Sequence, residues 1–82
     1  MNISKRNVTV FLDDPGQAVM ELASVQTDAL AGLSIYVQDT DDIGIWARID
    51  RRDGRHIILI RWDYVLTIDF ELGDTKAVSL QP

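Results

Sequence analysis

The chain has no cysteine, one histidine and two prolines among its 82 residues. Without cysteine there are no disulfides and no thiolate metal sites, and a reducing compartment suits it. His56 is the single imidazole and there is no thiol, so the dyads and triads of nucleophilic catalysis lack their parts. A general base also needs placed partners, and a lone His56 at a strand start reads as structural or exposed. No enzymatic activity, no catalytic residue and no cofactor are expected. Apolar runs are short too, and none approaches the ~18 residues that span a bilayer. The opening Met1-Asn2-Ile3-Ser4-Lys5-Arg6 lacks the apolar stretch of a signal peptide. The expected location is cytoplasmic, with no membrane partner. Basic residues are few: eight Lys and Arg stand against thirteen Asp and Glu, a net charge of −5. Such a chain as a whole repels phosphate backbones, and DNA is not an expected partner.

What the chain does have is an ordinary globular balance. Hydrophobic residues make up 46% and charged residues 26%, which excludes a disordered polymer. The length allows one domain with one modest core. Val8, Val10 and Leu12 alternate with Asn7, Thr9 and Phe11, a strand, and Asp13-Asp14-Pro15-Gly16 supplies a turn. Residues 17–31 support two readings. As a helix, Asp14 is the N-cap, Pro15 the first helical residue, and Ala18, Leu22, Val25 and Ala29 share a face ending at Gly32. As a strand, Ala18, Met20 and Leu22 alternate with Val19, Glu21 and Ala23.

The remainder reads as a β meander. Leu33, Ile35 and Val37 form one face of a strand, and Asp39 to Asp42 an acidic turn. Ile43, Ile45, Ala47 and Ile49 follow on the next strand. Arg51-Arg52-Asp53-Gly54 supplies the hairpin, since Asp-Gly suits turns that need positive φ. His56 to Trp62 is apolar on both faces at its centre, as in a strand covered on both sides. Val65 to Leu72 then places Leu66, Ile68, Phe70 and Leu72 on one face. The fold expected is mainly β, a small, strongly bent antiparallel barrel of five or six strands. Residues 1–16 would be an extra strand or arm, 17–72 the barrel, and 73–82 a tail or short edge segment.

Glu21-Leu22, Gly32-Leu33-Ser34-Ile35 through Asp39, Ile43-Gly44-Ile45-Trp46, Ile58-Leu59-Ile60-Arg61 and Val65-Leu66-Thr67-Ile68 follow one another with short breaks. This block, residues 21–70, resembles an Sm-like (LSm) small β-barrel, and SH3-like barrels share much of the pattern. The resemblance implies strand edges that pair between subunits into rings, hence a homo-oligomer or another protein partner. It also implies a nucleotide pocket. For that pocket Asp39 and Arg61 match the family's loop residues. Ile43 and Gly44 stand where an asparagine belongs, and Trp62-Asp63-Tyr64 replaces the rest of the second loop.

Five of the eight basic residues are arginines between positions 48 and 61: Arg48, Arg51, Arg52, Arg55 and Arg61. With Trp46 they are the candidate ligand or RNA-binding residues, because an arginine beside an aromatic ring can stack a base and pair a phosphate. The competing reading is a solvated hairpin whose arginines meet Asp50, Asp53 and Asp63. Trp62 and Tyr64 are candidate interface residues that also suit the closing of one end of the sheet. Asp39, Asp41 and Asp42 lack the glycine and distal glutamate of a Ca²⁺ loop, and no metal site is assigned. The expected function is a non-enzymatic interaction module, self-associating through its edge strands. The alternative is an RNA-binding regulator using the Arg48–Arg61 cluster.

Overall fold

The structure, a computed structural model, describes residues 2–71. The elements are β1 (Asn7–Leu12), α1 (Asp14–Leu22), β2 (Leu33–Thr40), β3 (Gly44–Arg51) and β4 (Gly54–Arg61). A one-turn 3-10 helix (Trp62–Tyr64) then leads into β5 (Val65–Asp69). The expectations for Leu72, Gly73-Asp74 and the tail lie outside the described residues. No helix among the described residues is long and apolar enough to cross a membrane.

All five strands belong to one antiparallel sheet in the order β4-β3-β2-β1-β5. The mainly β, five-stranded expectation is met, but the sheet is not closed into a barrel. The 3-10 turn after β4 carries the chain round to β1, and β5 adds there instead of returning to β4. The strand over 7–12, expected as an extra strand or arm, lies inside the sheet between β2 and β5. It takes the place that the resemblance gave to Glu21-Leu22, which sit at the end of α1.

The helical reading is the one realised for the ambiguous segment, though the helix starts earlier and ends sooner than expected. Asp13, rather than Asp14, is the N-cap, and its carboxylate accepts from the Gly16 amide at 2.8 Å. Pro15 sits in the first turn, where its missing N–H costs nothing. Gly16 and Met20, one turn apart, face the sheet, while Leu22 is 87% exposed. The helix stops at a Schellman turn: Ser24 N–H donates to the Glu21 carbonyl and Val25 N–H to the Met20 carbonyl, both at 2.9 Å. Ser24 adopts φ 62°, a conformation that glycine takes more cheaply. Beyond it the chain turns away from the helix axis and drops Val25 into the core.

The core is built from one face of the sheet. Val8, Val10 and Leu12 meet Leu33, Ile35 and Val37, then Ile45, Ala47 and Ile60, with Met20, Val25 and Ile3 as the lid. Val10, Val37, Ile45, Ala47 and Ile60 are completely buried. Two bulges bend the sheet round this cluster. Gln38 is the extra residue between the Val37↔Ala47 and Asp39↔Trp46 pairs, and Leu66 between Phe11↔Thr67 and Leu12↔Val65. The second bulge reverses a sequence expectation: Val65 packs against the core and Leu66 is 69% exposed. β4 was expected to be covered on both faces, but as an edge strand it buries Ile60, half-buries Ile58 against the core and leaves Ile57 51% exposed. The hairpin turns over Arg51-Arg52-Asp53-Gly54, as expected: the strands close at the Arg51↔Gly54 pair, and Gly54 takes the positive φ of 133°.

Two substitutions test this account by urea denaturation. Ser24→Gly is expected to raise stability by about 1 kcal/mol by relieving the left-handed conformation. Ile60→Ala is expected to lower it by about 2–5 kcal/mol, because a fully enclosed side chain leaves a cavity.

Candidate functional site

The arginines clustered in sequence are distributed over three places. Arg51, Arg52 and Arg55 lie at the tip of the β3–β4 hairpin, Arg61 at the far end of β4, and Arg48 with Trp46 on the outer face of β3. At the tip, Arg51 is half-buried. One of its Nη atoms donates to the carbonyl of Ala23, the C-cap of α1, and the other lies 3.2 Å from both ring nitrogens of His56. A cation at the carbonyl end of a helix is favourably placed. Arg51 therefore fastens the hairpin to α1.

His56 Nε2 stands 2.9 Å from Asp53 Oδ1. That hydrogen bond is the main cause holding the Asp53 carboxyl below its usual range, with the charges of His56 and Arg51 adding to it. The imidazole, the Asp53 carboxylate and the Arg51 guanidinium form one cluster, since Arg51 Nε also lies 3.6 Å from Asp53 Oδ1. Arg55 Nε meets Asp50 at 2.9 Å across the strand pair, and Arg61 meets Asp63 at 3.2 Å. Both pairs are exposed and contribute at most ~1 kcal/mol. Arg52 is exposed.

Arg48 has a different setting. Its guanidinium lies 4.1 Å above the ring of Tyr36, its partner across β2 and β3. Tyr36 was not among the residues singled out from the sequence. Its outward position on β2 was readable from alternation, but the register that sets it beneath Arg48 was not. Arg48 and Tyr36 line a groove of about 610 Å³ across β3, β2, β1 and β5, with Asn7, Thr9 and Ser34 along the floor. Asp69 and Glu71 line its β5 side.

At the other end of the sheet, the acidic turn is a structural knot. Asp41 Oδ1 accepts from the Ile43 and Gly44 amides at 2.9 and 3.1 Å, and Oδ2 accepts from Trp46 Nε1 at 2.9 Å. The Asp41 carbonyl accepts from Trp62 Nε1 at 2.7 Å, and the Ile43 carbonyl from the Trp62 amide at 3.1 Å. Both indole N–H groups, from Trp46 and Trp62, are thus spent on this turn. Trp62 and Tyr64 are half-buried and pack against the core. Tyr64 also lies against Gly16 of α1, and its carbonyl accepts from the Asp13 amide at 2.9 Å.

The sequence resemblance asks for an asparagine near Gly44. A Cβ built there would lie 2.1 Å from the carbonyl oxygen of Ile60, so no side chain fits at 44. Asp39 is exposed and accepts from the Thr40 amide at 2.8 Å. Arg61 is turned to Asp63. Among the described residues no group of three or more His, Cys, Asp or Glu is placed to hold a metal ion.

The Asp41 carboxyl is held below its usual range, first by the Trp46 indole and then by the Gly44 and Ile43 amides. A depressed folded-state pKa adds stability that is complete above the ordinary carboxylate value of about 3.9 and is lost as pH falls through the lower folded value. Asp41→Asn should therefore be less stable than the parent chain at pH 7. In acid-denaturation curves that deficit should shrink as pH drops below the usual carboxylate range.

No protein-family model, no curated protein and no solved structure matches this chain.

Proposed function

We propose that this chain is a non-enzymatic interaction module of the Sm-like or SH3-like kind that associates with copies of itself through its open edge strands. The observation that carries the reading is the state of the two edges. Among the described residues, nothing pairs with the outer side of β4 or of β5. Ile57 on β4 is 51% exposed and Leu66 on β5 is 69% exposed. Unpaired backbone groups beside exposed aliphatic side chains form a template for another strand. The charges of the two edges are complementary. β4 carries Arg55 and Arg61 and no acid, whereas β5 and the residues just after it carry Asp69 and Glu71 and no base. A β4 edge of one copy on a β5 edge of the next joins unlike charges, while β4 on β4 opposes arginines. Such a contact is heterologous and closes into a ring or runs on as a filament.

The meander β2-β3-β4, the one-turn break at Trp62–Tyr64 and the return of β5 to β1 support the Sm-like or SH3-like reading in an open sheet rather than a closed barrel. Binding of RNA through the arginines finds less support, since Arg51 is occupied by α1 and His56 and the chain carries a net charge of −5.

Light scattering behind size exclusion tests the proposal. The parent chain is expected to run as a concentration-dependent oligomer that weakens in high salt. Ile57→Lys and Leu66→Lys should each give a folded monomer, because a lysine on an exposed edge blocks pairing without touching the core. A parent chain that stays strictly monomeric at high concentration would overturn the proposal.

A further inference from the structure

The groove on the outer face has two walls of opposite charge, one on β3 and the other on β5, whose Asp69 and Glu71 also belong to the sheet edge. On one wall Arg48 is half-buried and stacked on Tyr36, and among the described residues it makes no ion pair. Stacking fixes the plane of the guanidinium and leaves its N–H edge unspent, in the fork geometry that matches a carboxylate. The nearest carboxylate along β3, Asp50, is turned to Arg55 at 2.9 Å. On the opposite wall Asp69 and Glu71 are exposed, and among the described residues neither is paired with a base. Between the walls Asn7, Thr9 and Ser34 supply short polar side chains, and Phe70, with Arg6 5.5 Å over its ring, lines the β5 side.

The spacing between the walls selects a ligand. β2 and β1 lie between β3 and β5, so the walls are roughly 14 Å apart at ~4.8 Å per strand. An extended peptide rises ~3.4 Å per residue and alternates its side chains, so residues four apart fall about 14 Å apart on one face. A groove of about 610 Å³ is within the usual range of ligand sites. A nucleic acid strand would bring phosphates against Asp69 and Glu71, and repulsion disfavours it. We propose that this groove docks an extended peptide segment that bears an acidic and a basic side chain four residues apart. The carboxylate is taken by the fork of Arg48, and the cation by Asp69 and Glu71.

The test is an amide chemical-shift titration of the chain carrying Leu66→Lys, which removes edge association from the readout and leaves the cross-strand neighbour of Arg48, Ile57, untouched. The probe is a blocked peptide rich in threonine and valine, with Glu and Lys four residues apart. Shifts are expected at Asn7, Thr9, Tyr36, Arg48 and Asp69. A peptide of the same composition with Glu and Lys adjacent should bind about tenfold more weakly, and Arg48→Gln should cost a similar factor. Arg48→Lys keeps the charge and loses the fork, so it should also weaken binding while leaving the fold intact. Equal affinity for the two peptides, binding unchanged by either Arg48 variant, or no shifts in the groove would overturn the proposal. Displacement of the peptide by short RNA at the same amides would replace it with a nucleic-acid site.

Discussion

A single sheet with one apolar face has nothing to bury that face against except itself. In this chain the constraint is acute, because the described residues add only one short helix as a second layer. The sheet must therefore curl, and the departures from regular strand geometry are the means. The bulges at Gln38 and Leu66 each insert one residue on one side of a pair, increasing the local bend. Gly44 lets β3 and β4 approach until the Ile60 carbonyl occupies the space of a side chain. Met20 and Val25 then cover the part of the cluster that the curl leaves open.

Polar groups hold the curled sheet at both ends. At one end Asp41 gathers two backbone amides and an indole, while its own carbonyl takes the second indole. At the other, Arg51 reaches from the hairpin to the last turn of α1. Three of the candidate residues read from the sequence, Trp46, Trp62 and Arg51, are thus largely consumed in shaping the fold. What is left for recognition is the part of the outer face around Arg48, which stacks on Tyr36 and makes no ion pair among the described residues.

Strand existence was legible because alternation over β1, β2 and β3 is clean and each strand buries one face. The helix was half legible: the Asp and Pro spacing announced its start, but its end rests on Ser24 in a conformation usually left to glycine. Residue alternation alone places Leu66 inside, and only the bulge, set by pairing with β1, turns Val65 inward instead. The double-sided apolar run at Ile57 to Ile60 suggested a central strand. It marks an edge, and hydrophobicity by itself does not distinguish a strand buried by its own chain from one with an exposed face. The arginines were legible as a sequence cluster, but sorting them needed cross-strand register. That register gives Arg55 to Asp50 and Arg48 to Tyr36.

The interior position of β1 bears on how the chain reaches this structure. Within the described residues β5 has one neighbour, β1, from which it is separated by most of the sequence. The meander β2-β3-β4 needs only short loops and can assemble locally, whereas joining β1 to β5 closes a loop of more than half the chain. The entropy of that closure is repaid only when both strands are in place, so this pairing is expected to form after the local meander. Until then Val8, Val10 and Leu12 have an uncovered flank, and the time β1 waits for β5 is the interval in which the chain is most open to mispairing.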